Sequence, residues 1–246
     1  MLQGLYAAAS GMEAQQTQLN AISNDLANAD TPGYESVNVG FQDLLYSSGG
    51  VSTGSPIATG AGASASVVGR NTTEGALNQT GRPLDVGIEG DGYLQVRLPN
   101  GQTGLTRDGA LQLNSKGQLT DANGDPLVPT VTVPNGTDIA NVKIAADGTV
   151  TLAGKPLGAI KLVTVPAPGQ LLADGNSTFS VTAASGTIKP ATGASLHQGM
   201  LEQSNVDMAQ AMAGMMNAQE SYDMDSQAVQ YQSQMLQIAN QLRSGS

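Results

Sequence analysis

The stretch NDLANADTPGY, residues 24–34, contains the point where the chain has to leave a helix. Pro32 disfavours helical geometry at Thr31, and the Pro-Gly pair at 32–33 suits the centre of a turn. The residues before this pair follow a helical pattern. We therefore predict a long helix near the N terminus that ends here, with Pro32 and Gly33 setting the turn.

Before this turn a large apolar residue returns at every seventh position, which is the pattern of a heptad seam. The seam contains Leu5, Met12, Leu19 and Leu26, with Ile22 in an offset position. Burying these side chains stabilises a helix by about 2 kcal/mol each. Ordering the backbone costs about 1–2 kcal/mol per residue, so the helix is not expected to persist alone.

The C-terminal part of the chain repeats the design over residues 203–243, which predicts a helix about 60 Å long at ~1.5 Å per residue. Its residues spaced by seven are Leu201, Met208, Met215, Tyr222, Val229 and Leu236. A second apolar stripe contains Met224, Ala228, Tyr231, Met235, Ile238 and Leu242. Amides in the seams, such as Gln15 and Gln219, favour packing among many subunits over the alternative of a closed intramolecular helix pair.

The segment between the helices alternates apolar and polar residues and contains frequent Asn-Gly and Asp-Gly turns, which is typical of antiparallel strands. The predicted fold class is α+β: long N- and C-terminal helices pair as a coiled-coil-like inner domain, and a central antiparallel all-β domain lies between them in sequence. The predicted parts are an N-terminal helix in 1–35, an extended Gly/Ser-rich connection in 36–70, the β domain in 71–196 and a C-terminal helix in 197–246.

Charge is distributed unevenly along the chain. Residues 70–196 hold nine basic and ten acidic side chains, whereas the two ends together hold ten acidic side chains and one basic one. Acidic ends repel phosphate and anionic lipid, which argues against nucleic-acid binding and membrane-surface roles. The chain has no long apolar run, so we expect a protein that is not membrane-embedded. Residues 1–10 lack the features of a secretory signal, so if the protein leaves the cytoplasm we expect a route that does not use a cleaved signal peptide.

Candidate chemical sites are weak. The glycine-rich segment GIEGDGY, residues 87–93, lacks the features of a phosphate loop and is interpreted as a hairpin turn with Glu89 and Asp91 at its solvated tip. The oxygen-rich segment 121–125 lacks the glutamate of a calcium loop and is interpreted as a turn. His197 is the only histidine, and there is no cysteine, so the sequence predicts no catalytic, cofactor-binding or metal residues.

Four segments together resemble the bacterial flagellar rod and hook proteins, a family of axial structural subunits. They are residues 20–46, which contain the helix end and turn, and residues 82–96, 106–119 and 201–237, which follow in the family's order. Within this family, FQDLLY at 41–46 and Ser204-Asn-Val206 favour a distal rod subunit. Asp30-Thr-Pro-Gly-Tyr34 is more similar to proximal rod subunits, so a proximal rod or hook-type subunit is the alternative.

The resemblance implies a structural subunit of the flagellar basal body that forms a hollow helical homopolymer and transmits torque from motor to hook. It implies export through the flagellar export apparatus and contacts with neighbouring rod and hook subunits and with surrounding ring proteins. The positions carried over as assembly residues are Leu19, Ile22, Leu26, Asn28, Pro32, Gly33, Met208, Met215, Tyr222, Val229 and Leu236. Glu220 and Gln227 stand where the distal rod subunits commonly have Arg and Lys, so ion pairs between helices are not carried over.

Two other classes of protein are compatible with parts of the sequence. A carbohydrate-active enzyme or lectin would place its activity on the β domain, and that activity would survive removal of both ends. A coiled-coil adhesin would need an anchoring segment, and the sequence contains none. The axial-subunit interpretation accounts for both terminal helices and for the central domain.

Overall fold

The computed structural model describes residues 2–44, 47–48, 58–59, 62–134 and 136–244. The chain has a helix at each end, α1 (Leu2–Ala27) and α2 (Met208–Ser244). The segment between them in the sequence forms antiparallel strands. The predicted α+β class is therefore confirmed. The chain divides into two compact units, of which the first contains residues 1–26, 37–68 and 207–246 and the second contains residues 27–36 and 69–206.

The strands are short and numerous. They are β1 (Val37–Asp43), β2 (Ser47–Ser48), β3 (Ala58–Thr59), β4 (Ala63–Arg70), β5 (Leu77–Gln79), β6 (Val86–Glu89), β7 (Tyr93–Arg97), β8 (Thr103–Thr106), β9 (Gln112–Leu113), β10 (Leu119–Thr120), β11 (Val142–Ile144), β12 (Thr149–Leu152), β13 (Lys155–Ala159), β14 (Leu162–Thr164), β15 (Leu172–Gly175), β16 (Thr178–Ser180), β17 (Lys189–Pro190), β18 (Ser195–Gln198) and β19 (Met200–Glu202). Single 3₁₀ turns form at Ile139–Asn141 and Pro168–Gln170.

The first unit contains both long helices and two pairs of strands. β1 pairs with β4, and β2 pairs with β3. The segment predicted as an extended connection therefore contains strands where it is described, while residues 45–46, 49–57 and 60–61 of that segment lie outside the described residues. The buried carboxylate of Asp25 in α1 accepts a hydrogen bond from the backbone N–H of Val37 at 3.1 Å.

The C-terminal helix begins later than the predicted residue 203. Asp207 caps it, because its Oδ1 accepts hydrogen bonds from the backbone N–H groups of Ala209 (2.9 Å) and Gln210 (3.1 Å). Leu201, predicted at the start of the helical seam, lies in β19 and pairs with Asn78 of β5. Although Leu201 is seven residues before Met208, as in a helical seam, it pairs in a strand and not in α2. The prediction that the apolar seam of the C-terminal helix begins at Leu201 was therefore wrong.

The second unit contains a six-stranded antiparallel sheet with the order β15-β16-β8-β7-β14-β17. A three-stranded sheet, β11-β12-β13, and the pairs β9–β10, β6–β18 and β5–β19 complete it. β6 and β7 belong to different sheets, so residues 87–93 are not the predicted hairpin. The chain turns between β6 and β7 at Gly90, whose φ of +90° lies in the region that favours glycine.

Two apolar clusters form the core of this unit. The larger contains Leu84, Val86, Ile88, Leu94, Val96, Leu111, Leu119, Leu127, Val131, Val133, Val142, Ile144, Val150, Ile160 and Leu196. The smaller is built around Tyr93 and Phe179, whose rings meet edge to face with centroids 6.2 Å apart. Aliphatic side chains thus supply most of the core, and the two aromatic residues of the central segment are used together in one cluster.

Candidate assembly surfaces

Three glycines mark where α1 and α2 approach each other in the first unit. A Cβ atom added to Gly4 would lie 2.8 Å from Oε1 of Gln232, and one added to Gly11 would lie 2.7 Å from a carboxylate oxygen of Asp225. A Cβ atom added to Gly214 would lie 3.3 Å from Cδ1 of Ile22. Glycine therefore admits the side chains of the other helix.

These contacts follow a regular antiparallel register. As the contact moves forward along α1 from Gly4 to Gly11, it moves back along α2 by the same seven residues, from Gln232 to Asp225. The next contact, between Ile22 and Gly214, lies eleven residues further along each helix in the same directions. Ala14 and Ala218 are the buried apolar side chains among the described helix residues. Small residues and polar side chains, rather than large apolar ones, occupy much of this contact.

The half-buried side of α2 follows a 4-3 spacing. It comprises Ala211, Met215, Ala218, Tyr222, Asp225, Val229, Gln232 and Leu236. Four of the predicted α2 assembly residues, Met215, Tyr222, Val229 and Leu236, lie in this set. Met208 lies in the first turn and is 52% exposed. In α1, Leu19, Ile22 and Leu26 are half-buried.

A second side of α2, next to the half-buried one, carries a continuous apolar surface with no covering element among the described residues. We call it the exposed stripe; it consists of Met224, Ala228, Tyr231, Met235, Ile238 and Leu242. The large side chains in it are 57–74% exposed. At 3.6 residues per turn, all six members fall within one side of the helix. Exposed apolar surface of this extent is typical of a protein–protein interface.

The turn after α1 lies in the second unit. The half-buried Asn28 accepts hydrogen bonds from Thr31, through its backbone oxygen at 3.0 Å and through Oδ1 at 3.3 Å. Half-buried Pro32 precedes Gly33, which is buried with a φ of +63° and whose N–H donates to the carbonyl of Glu202 at 3.0 Å. A Cβ atom on Gly33 would lie 2.5 Å from the backbone nitrogen of Asp108, so only glycine fits.

Two buried acids next to this turn were missed by the sequence analysis. Glu35 accepts a hydrogen bond from the Tyr93 hydroxyl at 2.6 Å, and its other oxygen, Oε2, is buried with no hydrogen-bond partner among the described residues. Glu202 forms an ion pair with Arg107 and also accepts a hydrogen bond from the N–H of Gly75 at 3.0 Å. Glu35 connects the segment after α1 to Tyr93 of β7, and Glu202 connects the segment before α2 to Arg107, which directly follows β8.

Burial dominates the electrostatics of this cluster. It raises the pKa of the Glu35 carboxyl, and the hydrogen bond from Tyr93 and the nearby Arg107 offset the rise only in part. Burial together with the charge of Glu35 also raises the pKa of Tyr93. Burial raises the pKa of Glu202 against the opposing effect of Arg107. Removing these groups from water costs free energy of folding, and some proteins retain such buried polar groups because they fix one arrangement of the chain.

Asn205 connects three strand-end segments close to the same turn. Its Oδ1 accepts from the N–H of Ser36 at 2.8 Å, and its Nδ2 donates to the carbonyls of Asn71 and Thr73 at 2.7 and 2.9 Å. Its own N–H donates to the carbonyl of Tyr34 at 3.3 Å. One amide side chain thus holds the chain after α1 next to the chain before α2.

The other candidate positions form local structure. Asp121 accepts hydrogen bonds from the N–H groups of Asn123 and Asp125, which confirms the predicted turn. His197 Nε2 lies 2.5 Å from Oε2 of Glu89, and Ser195 contacts the same two groups on an exposed part of β6 and β18. No group of three or more His, Asp or Glu side chains among the described residues could hold a metal ion, and neither described helix is long and apolar enough to cross a membrane.

Three family models match the chain in the order of its elements. "Flagella basal body rod protein" covers residues 5–34, "Flagellar hook protein FlgE/F/G D1 domain" covers 87–152, and "Flagellar basal body rod FlgEFG protein C-terminal" covers 197–242. The chain belongs to the flagellar basal-body rod protein family. It is therefore a structural subunit and not an enzyme.

Full-length similarity is to the flagellar basal-body rod protein FlgG. The chain is 38% identical to FlgG of Caulobacter vibrioides over 99% of its own length and 100% of that protein. It is 33% identical to FlgG of Borreliella burgdorferi, with 99% of each chain covered, and 28% identical to the rod protein FlgF of Mesorhizobium japonicum, with 91% and 90% covered. The predicted resemblance to the distal rod protein, FlgG, is confirmed.

Proposed function

We propose that this subunit polymerises into the distal rod of the flagellar basal body, a hollow helical drive shaft that transmits torque from motor to hook. The observation that carries the proposal is the exposed stripe of α2, a long apolar surface that a separate subunit leaves in water. A surface that pairs with a different surface on the next copy, without closing a ring, produces a helical filament. Higher identity to FlgG than to FlgF supports the distal over the proximal rod.

In this proposal α1 and α2 pair as a coiled-coil-like inner domain. The regular antiparallel register of Gly4, Gly11 and Gly214 against the other helix supports this pairing. Leu19, Ile22, Leu26, Met215, Tyr222, Val229 and Leu236 pack within the inner domain, and Met208 contacts a neighbouring subunit. In this proposal the inner domain contains residues 1–26 and 207–246, the connection contains residues 37–68, and the outer β domain contains residues 27–36 and 69–206, because residues 197–202, predicted to belong to the inner helix, form strands paired with β6 and β5.

Asn28, Pro32 and Gly33 have a different role, since they set the path of the chain as it leaves the inner domain. The fit of Gly33 against the backbone at Arg107 and Asp108 supports this role. A turn held in this way gives each subunit the same local chain path after α1, as expected of identical copies in a helical polymer.

The partners follow from this position in the flagellum. The subunit contacts copies of itself, neighbouring rod and hook subunits, and the ring proteins around the rod as it crosses the periplasm. It reaches the growing tip through the flagellar export apparatus without a cleaved signal peptide. Helices that bury little large apolar surface by themselves support passage in an unfolded form, with ordering completed by neighbours.

The test compares three full-length proteins at high concentration by electron microscopy and far-UV circular dichroism. The unchanged chain is expected to form filaments and to gain helical signal as it does so. Ile238→Gln with Leu242→Gln polarises the exposed stripe and is expected to abolish filaments. The matched control, Gln230→Ala with Gln234→Ala, changes exposed polar positions of the same helix and should leave filaments intact. Equal filament formation by the stripe variant would overturn the proposal.

A further inference from the structure

Methionines are concentrated on the C-terminal helix. Of the nine in the chain, α2 carries six: Met208, Met212, Met215, Met216, Met224 and Met235. All but Met215 are more than half exposed. Since the chain has no cysteine, these five exposed thioethers are the accessible sulfur groups of the residues that the structure describes.

The exposed methionines fall into two sets with similar exposure and different surroundings. Met224 and Met235, which are 58% and 67% exposed, belong to the exposed stripe next to Tyr231 and Ile238. Met212 and Met216 are 52% and 64% exposed but lie outside it. Exposure makes all four reachable by a small oxidant, whereas only the first pair belongs to the continuous apolar surface.

We propose that Met224 and Met235 form a site of reversible oxidation by peroxides that controls whether the free subunit can assemble. One oxygen atom of hydrogen peroxide is transferred to the thioether sulfur, which loses two electrons and becomes a sulfoxide. The peroxide is reduced to water. A methionine sulfoxide reductase, using a dithiol as reductant, reverses the step by returning that oxygen as water.

The chemical change acts on the property that the stripe supplies. A thioether is apolar and adapts its shape to a neighbour, while a sulfoxide is polar and needs a hydrogen-bond donor when it is buried. Two sulfoxides in the stripe therefore oppose the removal of water on which the contact depends. Once a neighbour covers the stripe, the sulfur atoms are shielded, so the site acts before assembly. This inference rests on the proposed function, in which the stripe is an interface.

The first measurement maps oxidation on the unassembled full-length chain by peptide mass spectrometry after brief treatment with hydrogen peroxide. Met224 and Met235 are expected to gain an oxygen atom well before Met215 and Met200, which are half-buried. Equal rates at all methionines, or oxidation first at Met215 and Met200, would overturn the proposal. This measurement does not depend on filament formation.

The second measurement follows filament formation after the same treatment. Oxidation is expected to raise the protein concentration needed for filaments by about tenfold or more, corresponding to about 1.4 kcal/mol per added subunit. Met224→Leu with Met235→Leu keeps the stripe apolar and is expected to make assembly resistant to peroxide. The matched control, Met212→Leu with Met216→Leu, should remain sensitive, and reductase treatment should restore assembly of the unchanged chain.

The outcomes separate the two proposals. If untreated protein forms filaments and oxidised protein forms them equally well, the oxidation site is wrong and the proposed function stands. If the 212/216 variant is protected as well as the 224/235 variant, the stripe is not the sensitive surface. If the untreated chain forms no filaments, the proposed self-assembly is wrong, and so is the proposed control of assembly by oxidation of Met224 and Met235.

Discussion

Arg107 and Glu202, which are 95 residues apart in the chain, form a buried ion pair in which Nε lies 2.9 Å from Oε2 and 3.1 Å from Oε1. The side chains are 3% and 4% exposed. The guanidinium also lies over the ring of Tyr93, 5.6 Å from its centroid. The pair holds the end of β19, just before α2, next to the end of β8 in the six-stranded sheet.

Replacing one partner of this pair is expected to destabilise the protein strongly. Arg107→Met leaves Glu202 as an uncompensated buried charge, for which the loss is about 3–5 kcal/mol in the free energy of unfolding. Urea denaturation measures it, and Arg97→Met, at an exposed position, is the control. Adding Glu202→Leu to Arg107→Met should recover part of the loss. A single variant as stable as the unchanged chain would contradict the importance of the pair.

Gly33 is expected to tolerate no side chain. Gly33→Ala forces a positive φ on alanine, at about 1 kcal/mol, and places Cβ against the Asp108 backbone, which adds about 1–3 kcal/mol of overpacking. Gly101→Ala is the matched control, because Gly101 has a φ of +83° and open space around it. The difference in unfolding free energy between the two variants isolates the steric part. Equal losses would show that the backbone near Asp108 yields to the added methyl group.

Glu35 is expected to make stability depend on pH. Because its pKa is raised in the folded protein, the folded state binds more protons than the unfolded state above about pH 4.5, and stability falls as pH rises through the folded pKa. Glu35→Gln keeps an acceptor for Tyr93 and removes this loss. The variant should gain stability relative to the unchanged chain as pH rises from about 4.5 towards neutrality.

Chemical denaturation from acid pH, below about 4.5, up to neutrality measures the effect of Glu35 and also includes the range in which Glu89 titrates. Glu89→Gln is the control of opposite sign, since the hydrogen bond with His197 lowers the pKa of Glu89. That contribution is present above the unfolded pKa of Glu89 and is lost as pH falls through its folded value. A Glu35→Gln difference that does not change with pH would contradict the assignment.

A large side chain at Gly11 is expected to impair assembly. Gly11→Leu drives a side chain into the position of the Asp225 carboxylate. Overpacking of about 1–3 kcal/mol corresponds to a rise of about fivefold to 140-fold in the concentration needed for filaments. Sedimentation of polymer measures the change. Ala9→Leu, at an exposed position of the same helix, should assemble normally. Normal assembly of Gly11→Leu would show that α1 and α2 need not approach closely there.

The sequence predicted those features that depend on neighbours along the chain. The helix end before Pro32, the strands and the turn at Asp121 follow from local backbone preferences, and the half-buried positions of α2 follow from its period of seven. The start of α2 was predicted too early because the apolar spacing was followed through Leu201. Asp207 before the helix was the available signal for the cap.

The buried cluster was not predictable in the same way. Glu35 lies 58 residues from Tyr93 along the chain, and nothing near either residue distinguishes it from an ordinary surface side chain. The pairing of β6 with β18, and not with β7, likewise depends on which strands the whole unit brings together.

The sequence by itself determined the family, the two terminal helices with their apolar periods, and the turn at Pro32 and Gly33. These depend on short-range geometry and on motifs that stay in order along the chain. The tertiary structure decided that Gly33 must be glycine, that Arg107 pairs with Glu202, and which side of α2 remains exposed. Those outcomes depend on burial and on contacts between distant residues, which exist only when the chain is folded.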